Sequence, residues 1–386
     1  MPYYNNNQPV DFNYILTGAT GILGSHLLYE LMHAIHENGY KGRIILLIRG
    51  KKDKTPVERL DELFGDSLVP DYLKHTDIDR IRRYHLLAVD FDLKHAAGAD
   101  IDRYVGTEKY TLLHSAASVN LGTNAAACEE IRRNNYQGTI DLIHTLHRHL
   151  CKVIYISSAF SLSTRDGRIR PSGSDCTDFR NHYEKFKVLT EQETARLCNA
   201  YGLEWQICRP SIICGRLVDH PHHVIPRFLV FYLFGAFFYR ARSAYGNQHI
   251  RILMHPTSGL NLVPVDYAAK AIIRAMHTDL KELNVVSRKS VPNSFAVPEM
   301  LRNVGWHNYE LTETAPESMN ALEKLYYRTA GAQLSNYLTT PEAPGTEFDT
   351  ATLTDLMKDY EEPHVEAHFT SLCHYAVRNT FSNLLS

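Results

Sequence analysis

A glycine-rich turn close to the start of the chain constrains the fold more than any other feature of the sequence. Residues 13–24 read NYILTGATGILG, in which an apolar stretch runs into three glycines and a helical pattern follows directly. Glycine allows a tight turn and lets the backbone approach a pyrophosphate, whose charge is stabilised at a helix N-terminus. The segment therefore predicts a strand, turn and helix that bind a dinucleotide. The residues expected at the cofactor in this turn are Gly18, Thr20, Gly21, Ile22, Leu23 and Gly24.

Short β-branched runs alternate with longer helical patterns over the first two-thirds of the chain. Strands are predicted at 13–17, 43–48, 85–89, 111–114, 152–157 and 204–209, and helices at 24–38, 55–64, 125–149 and 182–201. Such alternation is typical of βαβ units, which build a parallel sheet with helices on both faces. We therefore expect an α/β fold with a doubly wound parallel sheet of the Rossmann type.

Beyond residue 215 the alternation becomes weaker. A strand at 262–265 and a helix at 266–276 are expected to return to the sheet. Further helices are predicted at 316–330 and 366–384, with a loop at 339–346 between them. We expect an NADP-binding Rossmann domain made of residues 1–215 and about 262–283. Residues 216–261 and 284–386 are expected to form a smaller, partly helical C-terminal substrate-binding lobe.

Composition and charge narrow the class of protein. Of the 386 residues, 44% are hydrophobic and 22% are charged, an ordinary globular mixture. The 41 basic and 43 acidic side chains leave a formal net charge of −2, which argues against a nucleic-acid partner. No apolar run approaches the roughly 18–20 residues of a transmembrane segment, and the polar start lacks the pattern of a secretory signal. The seven scattered cysteines fit free thiols, so we expect a cytoplasmic protein.

The residues after the second predicted strand indicate which nicotinamide cofactor is used. An NAD site favours a carboxylate there for the ribose 2′-hydroxyl, whereas this sequence reads LIRGKK, with Arg49, Lys51 and Lys52. Cations favour a 2′-phosphate and hence NADPH. Arg49 is the best single candidate, since the two lysines could equally form an exposed basic loop.

A tyrosine and a lysine one helical turn apart form a candidate proton-donor group. Of the 23 tyrosines, only Tyr183 has a lysine four residues later, Lys187, and both fall in the predicted helix 182–201. Residues four apart share a helix face, so the ammonium group can stabilise the tyrosine anion and lower the pKa of the phenol. The preceding strand ends at Ser157 and Ser158, where a hydroxyl can donate to a substrate oxygen.

Several motifs occur in the order found in extended short-chain dehydrogenases/reductases: TGATGILG, HSAASVN, NYQGT, ISSAF, Tyr183-x-x-x-Lys187 and RPSIICG. Within that superfamily the chain most resembles the thioester-reductase and fatty-acyl-CoA-reductase branch, which has a male-sterility-type NAD(P)-binding domain. The segments LIRGKKDKTPVERL and LNLVPVDYAAKAI resemble this branch, whereas Phe91 replaces the glycine of its GDL motif. The resemblance extends over roughly residues 12–280.

The resemblance implies roles for individual residues. Ser158, Tyr183 and Lys187 match the family's catalytic serine, tyrosine and lysine, and Lys187 is expected to bind the nicotinamide ribose as well. Asp92 is expected to face the adenine. Beyond the glycine turn, the implied cofactor contacts are Arg49, Asp92, Ser115, Ala116, Ala117, Tyr183, Lys187, Arg209 and Pro210.

The reaction implied by the resemblance is the NADPH-dependent reduction of an acyl thioester. The thiol carrier is expected to be coenzyme A or a carrier protein, and the product an aldehyde or, after a second hydride transfer, an alcohol. One alternative is an extended reductase acting on a ketone, an aldehyde or a nucleotide-sugar. A second alternative is a non-catalytic NADP-sensing protein on the same fold. The oligomeric state stays open.

Two other features have more than one interpretation. The apolar segment 228–239 is too short to cross a membrane, and it could form lobe core, a wall for an acyl chain, a lid, an oligomer contact or a membrane-surface contact. The 21 histidines include groups at 144–149 and 219–223. Because their spacing fits convergent metal ligands poorly, we expect no metal site.

Overall fold

The computed structural model describes residues 13–39, 41–51, 53–161, 168–169, 179–342 and 347–385. The strands in this part are β1 (Tyr14–Thr17), β2 (Ile44–Ile48), β3 (Leu86–Asp90), β4 (Tyr110–His114), β5 (Leu150–Ile156), β6 (Arg168–Ile169), β7 (Glu204–Pro210), β8 (Ile212–Cys214), β9 (Ile250–Leu253), β10 (Gly259–Leu260), β11 (Leu262–Pro264), β12 (Glu282–Val285), β13 (Val291–Pro292), β14 (Tyr309–Thr312) and β15 (Glu347–Phe348). Seven of these strands form one parallel sheet in the order β12-β7-β5-β4-β1-β2-β3. The strand order reverses between β1 and β4, which is where ligands bind in open α/β sheets.

Helices cover both faces of this sheet. The helices in the described part of the chain are α1 (Ile22–Asn38), α2 (Pro56–Asp61), α3 (Asp71–Lys74), α4 (Ile78–His85), α5 (Asp102–Val105), α6 (Ala125–Ile131), α7 (Gly138–Leu146), α8 (His182–Tyr201), α9 (Phe231–Tyr245), α10 (Val265–Met276), α11 (Asn293–Asn303), α12 (Ala321–Arg328), α13 (Ala330–Thr339), α14 (Ala351–Leu356) and α15 (Val365–Arg378). On one face α1 packs against α10, and on the other α7 packs against α8. The prediction of a doubly wound parallel sheet is therefore confirmed.

Local sequence explains why the central elements form. All five residues of β2, IILLI, are buried because helices cover the sheet on both sides. Helix α8 begins after Asn181, whose side chain accepts a hydrogen bond from the Glu184 amide at 3.0 Å. It ends at Gly202, which adopts the left-handed conformation with φ of 65°. These boundaries put Tyr183 in the first turn of α8.

The predicted position of the last sheet strand is wrong. Residues 262–264 form β11, which pairs with β8 in a separate two-stranded sheet. The seventh strand of the main sheet is β12, which runs parallel to β7. Sequence pattern does not separate these two strands, because both are short and mostly buried, and only long-range pairing decides which joins the sheet.

Several helix boundaries also differ from the prediction. The expected helix at 125–149 is divided into α6 and α7 by a π-helical stretch at Arg132–Gln137. The expected helix at 316–330 begins later, at α12, and α13 follows it directly. Helix α13 continues to Thr339, so helix occupies the start of the predicted loop, while residues 343–346 of that loop lie outside the described residues.

The later part of the chain builds a second hydrophobic core that is rich in aromatic residues. The apolar segment 228–239 supplies Phe228 and the first part of α9, and Phe231, Phe234 and Phe238 are buried there. They pack with residues of α11, α12, α13 and α15. Most of the segment is therefore core, as one of its interpretations expected. No helix in the described part of the chain is both long and apolar enough to cross a membrane.

Candidate active site

Two adjoining cavities lie at the carboxyl edge of the sheet. The first, of about 490 Å³, is bordered by the residues after β1, β2 and β4, and we call it the dinucleotide cavity. The second, of about 260 Å³, contains the residues after β5 and the start of α8, and we call it the catalytic cavity. Both are lined by Gly21, Ser115, Ala117 and Arg227. The shared residues join the two cavities into one cleft, close to the point where the strand order reverses between β1 and β4.

The glycine turn brings the backbone of β1 close to that of β4. Gly18 has φ of 74°, and a Cβ at this position would lie 2.7 Å from the Ala116 nitrogen. A Cβ at Gly24 would clash with the Gly18 carbonyl oxygen. Helix α1 starts after Gly21 without a side-chain cap, so its first amide groups are available to an anion in the cleft. Close backbone approach and an uncapped helix start fit a pyrophosphate.

Basic side chains line the dinucleotide cavity beyond β2. Arg49 is exposed and forms an ion pair with Asp92, with 3.6 Å between Arg49 Nη1 and Asp92 Oδ2. The residue predicted to bind the 2′-phosphate therefore lies beside the residue predicted to face the adenine. Lys51 is exposed and does not line the described cavity wall, and Lys52 lies outside the described residues.

Arg59 also lines the dinucleotide cavity, although sequence analysis missed it. Its guanidinium group donates to Thr20 Oγ1 at 2.9 Å and to the Arg49 carbonyl oxygen. Burial is the main cause that lowers its pKa. The sequence does signal the helix that carries Arg59, because Thr55 and Glu58 form a capping box that starts α2. That the side chain reaches the cleft depends on tertiary packing.

A buried histidine connects the ends of β1 and β4 beside the cleft through hydrogen bonds. His114 Nδ1 lies 2.7 Å from Thr17 Oγ1, and its Nε2 lies 2.8 Å from Thr139 Oγ1. Thr17 Oγ1 also accepts a hydrogen bond from the Ala116 amide at 3.1 Å. Burial and, to a lesser extent, the charge of Lys187 lower the pKa of His114 to about 3, so the ring is neutral. This network positions Ser115, Ala116 and Ala117, and all three line the dinucleotide cavity.

The three predicted catalytic residues line the catalytic cavity together. Ser158 lies just after β5, and its Oγ accepts a hydrogen bond from the Phe160 amide at 3.3 Å. The Lys187 Nζ donates to the Ile156 carbonyl oxygen at 2.7 Å and lies 5.6 Å from the centre of the Tyr183 ring. Ile22, Leu23, Gly24 and Pro210, all predicted from sequence, line the same cavity.

The electrostatics of this group differ from the expectation that Lys187 acidifies Tyr183. Burial, with a smaller contribution from the Glu184 charge, raises the pKa of Tyr183 well above its ordinary value. Burial lowers the pKa of Lys187 to about 7, against the opposing effect of Glu191. Loss of hydration is the largest cause of both pKa shifts, so Tyr183 is a protonated phenol at neutral pH.

Arg209, predicted as a cofactor contact, does not line either cavity within the described residues. Its buried guanidinium pairs with Glu191 at 2.7 Å and with Glu282 at 2.6 Å. These contacts tie α8 to β7 and β12. The structure thus brings Pro210 to the cleft but turns the Arg209 side chain into the protein interior.

The histidine groups at 144–149 and 219–223 form ring contacts. His147 stacks on Tyr201 with ring centres 4.2 Å apart, and His220 stacks on His222 at 3.9 Å. Within the described ranges, no three histidine, cysteine or carboxylate side chains converge as they would around a metal ion.

Comparison with known proteins identifies the family. The model of the male sterility protein family matches residues 16–272. The fatty acyl-CoA reductase wat of Drosophila melanogaster is 26% identical over 235 residues, which cover 53% of this chain and 43% of the fly protein. The chain matches less than half the length of the first curated relatives.

Two solved structures share the fold. The terminal R domain from the myxalamid PKS-NRPS biosynthetic pathway matches with a TM-score of 0.65 and 18% identity, covering 98% of this chain and 93% of that domain. UDP-glucuronic acid 4-epimerase from Bacillus cereus, solved with UDP-glucuronic acid and NAD, matches with a TM-score of 0.62 and 13% identity, covering 95% and 100%. Since the family model covers more than half of the chain and the fold agrees, the protein belongs to the male sterility protein family.

Proposed function

We propose that this protein uses NADPH to reduce an acyl thioester to an aldehyde and a free thiol. One observation carries the proposal: Ser158, Tyr183 and Lys187 line a single cavity that adjoins the glycine turn. The remaining wall of that cavity includes Leu121 and Leu229, which suit an apolar acyl group better than a sugar.

The residues of the dinucleotide cavity fit the cofactor. The backbone from Gly18 to Gly24 would hold the pyrophosphate, and Arg49 with Arg59 would neutralise a 2′-phosphate. Asp92 would lie at the adenine. When bound, the reduced nicotinamide supplies the hydride that is added to the acyl carbon.

The protein's own groups handle the oxygen and the proton. The Ser158 hydroxyl would donate a hydrogen bond to the thioester oxygen, and Tyr183, held protonated by its raised pKa, would transfer its proton to that oxygen. The phenolate formed at Tyr183 favours protonated Lys187, whose amine has a pKa near neutrality. The resulting hemithioacetal breaks its carbon–sulfur bond, and its hydroxyl proton passes to the departing sulfur.

The thiol carrier that we propose is coenzyme A or the phosphopantetheine arm of a carrier protein. The support is the family membership, the similarity to fatty acyl-CoA reductases, and the likeness of the fold to the terminal R domain of a PKS-NRPS pathway. We also propose that the residues after 215, apart from the returning segment at about 262–283, act as the substrate lobe, because Leu229, Val230 and Tyr337 line the catalytic cavity.

The test is a purified-protein assay that follows NADPH oxidation by the loss of its ultraviolet absorbance. Acyl-CoAs, carrier-protein thioesters, aldehydes, ketones and UDP-sugars are supplied separately, and products are identified by mass spectrometry. We expect oxidation with at least one thioester and the release of one thiol per aldehyde formed. Activity on aldehydes, ketones or UDP-sugars with none on thioesters would overturn the proposal. Cofactor binding with no turnover on any substrate would favour an NADP-sensing protein.

The Tyr183→Phe variant tests the assigned acid. Removing the hydroxyl should lower kcat by about 10²–10⁴-fold while NADPH affinity changes by less than about threefold. The matched control is Tyr201→Phe, at the far end of α8, where the ring packs on His147. Unchanged turnover in Tyr183→Phe would remove Tyr183 from the reaction.

A further inference from the structure

Tyr337 separates the catalytic cavity from a smaller cavity in the aromatic core. This second space, which we call the apolar chamber, has a volume of about 30 Å³ and is lined by side chains such as Phe234, Ala296 and Met300. Among the described residues, Tyr337 alone lines both spaces. The described side chains that line the chamber present only apolar surface to it, so the chamber is expected to stay dry.

The Tyr337 ring is held firmly in this position. Its hydroxyl accepts a hydrogen bond from Asn181 Nδ2 at 3.2 Å and donates one to Glu184 Oε1 at 3.0 Å. The Arg180 guanidinium lies over the ring at 4.4 Å, and the Phe160 ring packs edge-on at 5.5 Å. These contacts on the hydroxyl and on the ring hold Tyr337 in place, so the ring acts as a wall.

We propose that Tyr337 determines substrate chain length, by stopping an unbranched acyl chain whose carbonyl lies at Tyr183. This inference rests on the proposed thioester reduction and adds the class of acyl group. An apolar chain is the expected occupant because the catalytic cavity is bounded on this side by Phe160 and Tyr337 and because the space behind the wall is apolar. Without the Tyr337 ring, the chain would continue into the chamber.

The chamber has room for roughly two water-sized groups, and removal of the ring would add its own volume. Shortening Tyr337 should therefore extend the longest well-accepted chain by at least two carbons. Each additional methylene buried there should improve kcat/KM by roughly fourfold, until the chamber is full.

The experiment compares wild type, Tyr337→Ala and Tyr337→Phe on saturated acyl-CoAs of four to sixteen carbons. Tyr337→Ala should move the chain-length cutoff to longer chains. Tyr337→Phe keeps the ring and loses only the hydrogen bonds to Asn181 and Glu184, so its cutoff should equal that of wild type. The same cutoff in Tyr337→Ala as in wild type, or an equal shift in both variants, would overturn the proposal.

A second substitution tests whether the chamber receives the chain. Ala296 is buried at the chamber wall, and Ala296→Leu would fill the space. In the Tyr337→Ala background, this change should return the cutoff to that of wild type. If Tyr337→Ala does not fold, Tyr337→Leu replaces it, since leucine keeps apolar bulk but lacks the ring.

A binding measurement separates this proposal from the proposed reaction. Primary alcohols of four to sixteen carbons are titrated against each protein with NADPH present, and the rise in Tm is recorded. An alcohol cutoff that moves in Tyr337→Ala, with no thioester turnover in any protein, would support the role of Tyr337 and refute the reaction. Thioester turnover would refute the role of Tyr337 if the chain-length cutoff in Tyr337→Ala equalled that of wild type for both the acyl-CoAs and the alcohols.

Discussion

The amine of Lys187 lies 5.6 Å from the centre of the Tyr183 ring, one turn further along α8. Both groups are buried, and burial lowers the pKa of the lysine to about 7 while it raises that of the tyrosine. The amine also donates to the Ile156 carbonyl oxygen at 2.7 Å, which aims it at the cleft. The pair therefore combines a protonated phenol with an amine that changes charge near neutral pH.

Replacing Lys187 with methionine should stabilise the fold at low pH. The pKa of Lys187 falls from 10.5 in the unfolded chain to about 7 in the fold, so the unfolded chain binds more protons between these values. The free-energy cost of burying the charge is complete below pH 7 and disappears as the pH approaches 10.5. We expect the free energy of unfolding of Lys187→Met to exceed that of wild type by on the order of 2 kcal/mol at pH 6.

Urea unfolding at pH 6, 8 and 10 measures this difference. The advantage of Lys187→Met should shrink as the pH rises, whereas a growing advantage would contradict the lowered pKa. Turnover of the variant should fall at every pH, because the positive charge beside the Tyr183 phenolate is lost.

Arg49→Ala should weaken NADPH binding far more than NADH binding. A charge-assisted hydrogen bond to a 2′-phosphate contributes about 1.5–3 kcal/mol, so the Kd for NADPH should rise roughly 10- to 100-fold. The matched control is Lys51→Ala, since that lysine is exposed and does not line the described cavity wall. Equal effects of Arg49→Ala on both cofactors in a fluorescence titration would argue against a 2′-phosphate contact.

Gly18→Ala should abolish tight cofactor binding and destabilise the fold. A methyl group at this position meets the Ala116 nitrogen at 2.7 Å, in addition to the strain of φ at 74°. Gly39→Ala is the control, because Gly39 has φ of 63° but a methyl group there would meet no atom within 4 Å. The free energy of unfolding of the control should fall by only about 1–2 kcal/mol, because of backbone strain. Similar losses of NADPH affinity in both variants would contradict the close approach of β1 and β4.

Arg209→Leu should lower the free energy of unfolding without altering the preference for NADPH over NADH. It leaves Glu191 buried without this partner, and removing one member of a buried ion pair costs about 3–5 kcal/mol. Arg196→Leu is the control, since Arg196 is exposed and its pairing with Glu193 should contribute at most about 1 kcal/mol. A folded Arg209→Leu variant of normal stability with weakened NADPH binding would restore the cofactor role expected from the family.

The local sequence was sufficient to predict the features that depend only on residues close together in the chain. The glycine spacing predicted the turn at Gly18, and the i, i+4 spacing predicted that Tyr183 and Lys187 share one face of a helix whose bounds match α8. Each of these depends on backbone geometry over a few residues, so neighbouring residues in the sequence are enough to specify it.

Tertiary structure alone decided the features that depend on distant contacts. It brought Arg59 and Tyr337 to the cleft, turned Arg209 towards Glu191, and made β12 rather than β11 the edge of the sheet. It also set the charge states in the catalytic cavity, because the pKa of a buried group depends on how much water the whole fold removes from it. The sequence by itself determined which residues could do the chemistry, and long-range packing determined their surroundings and protonation.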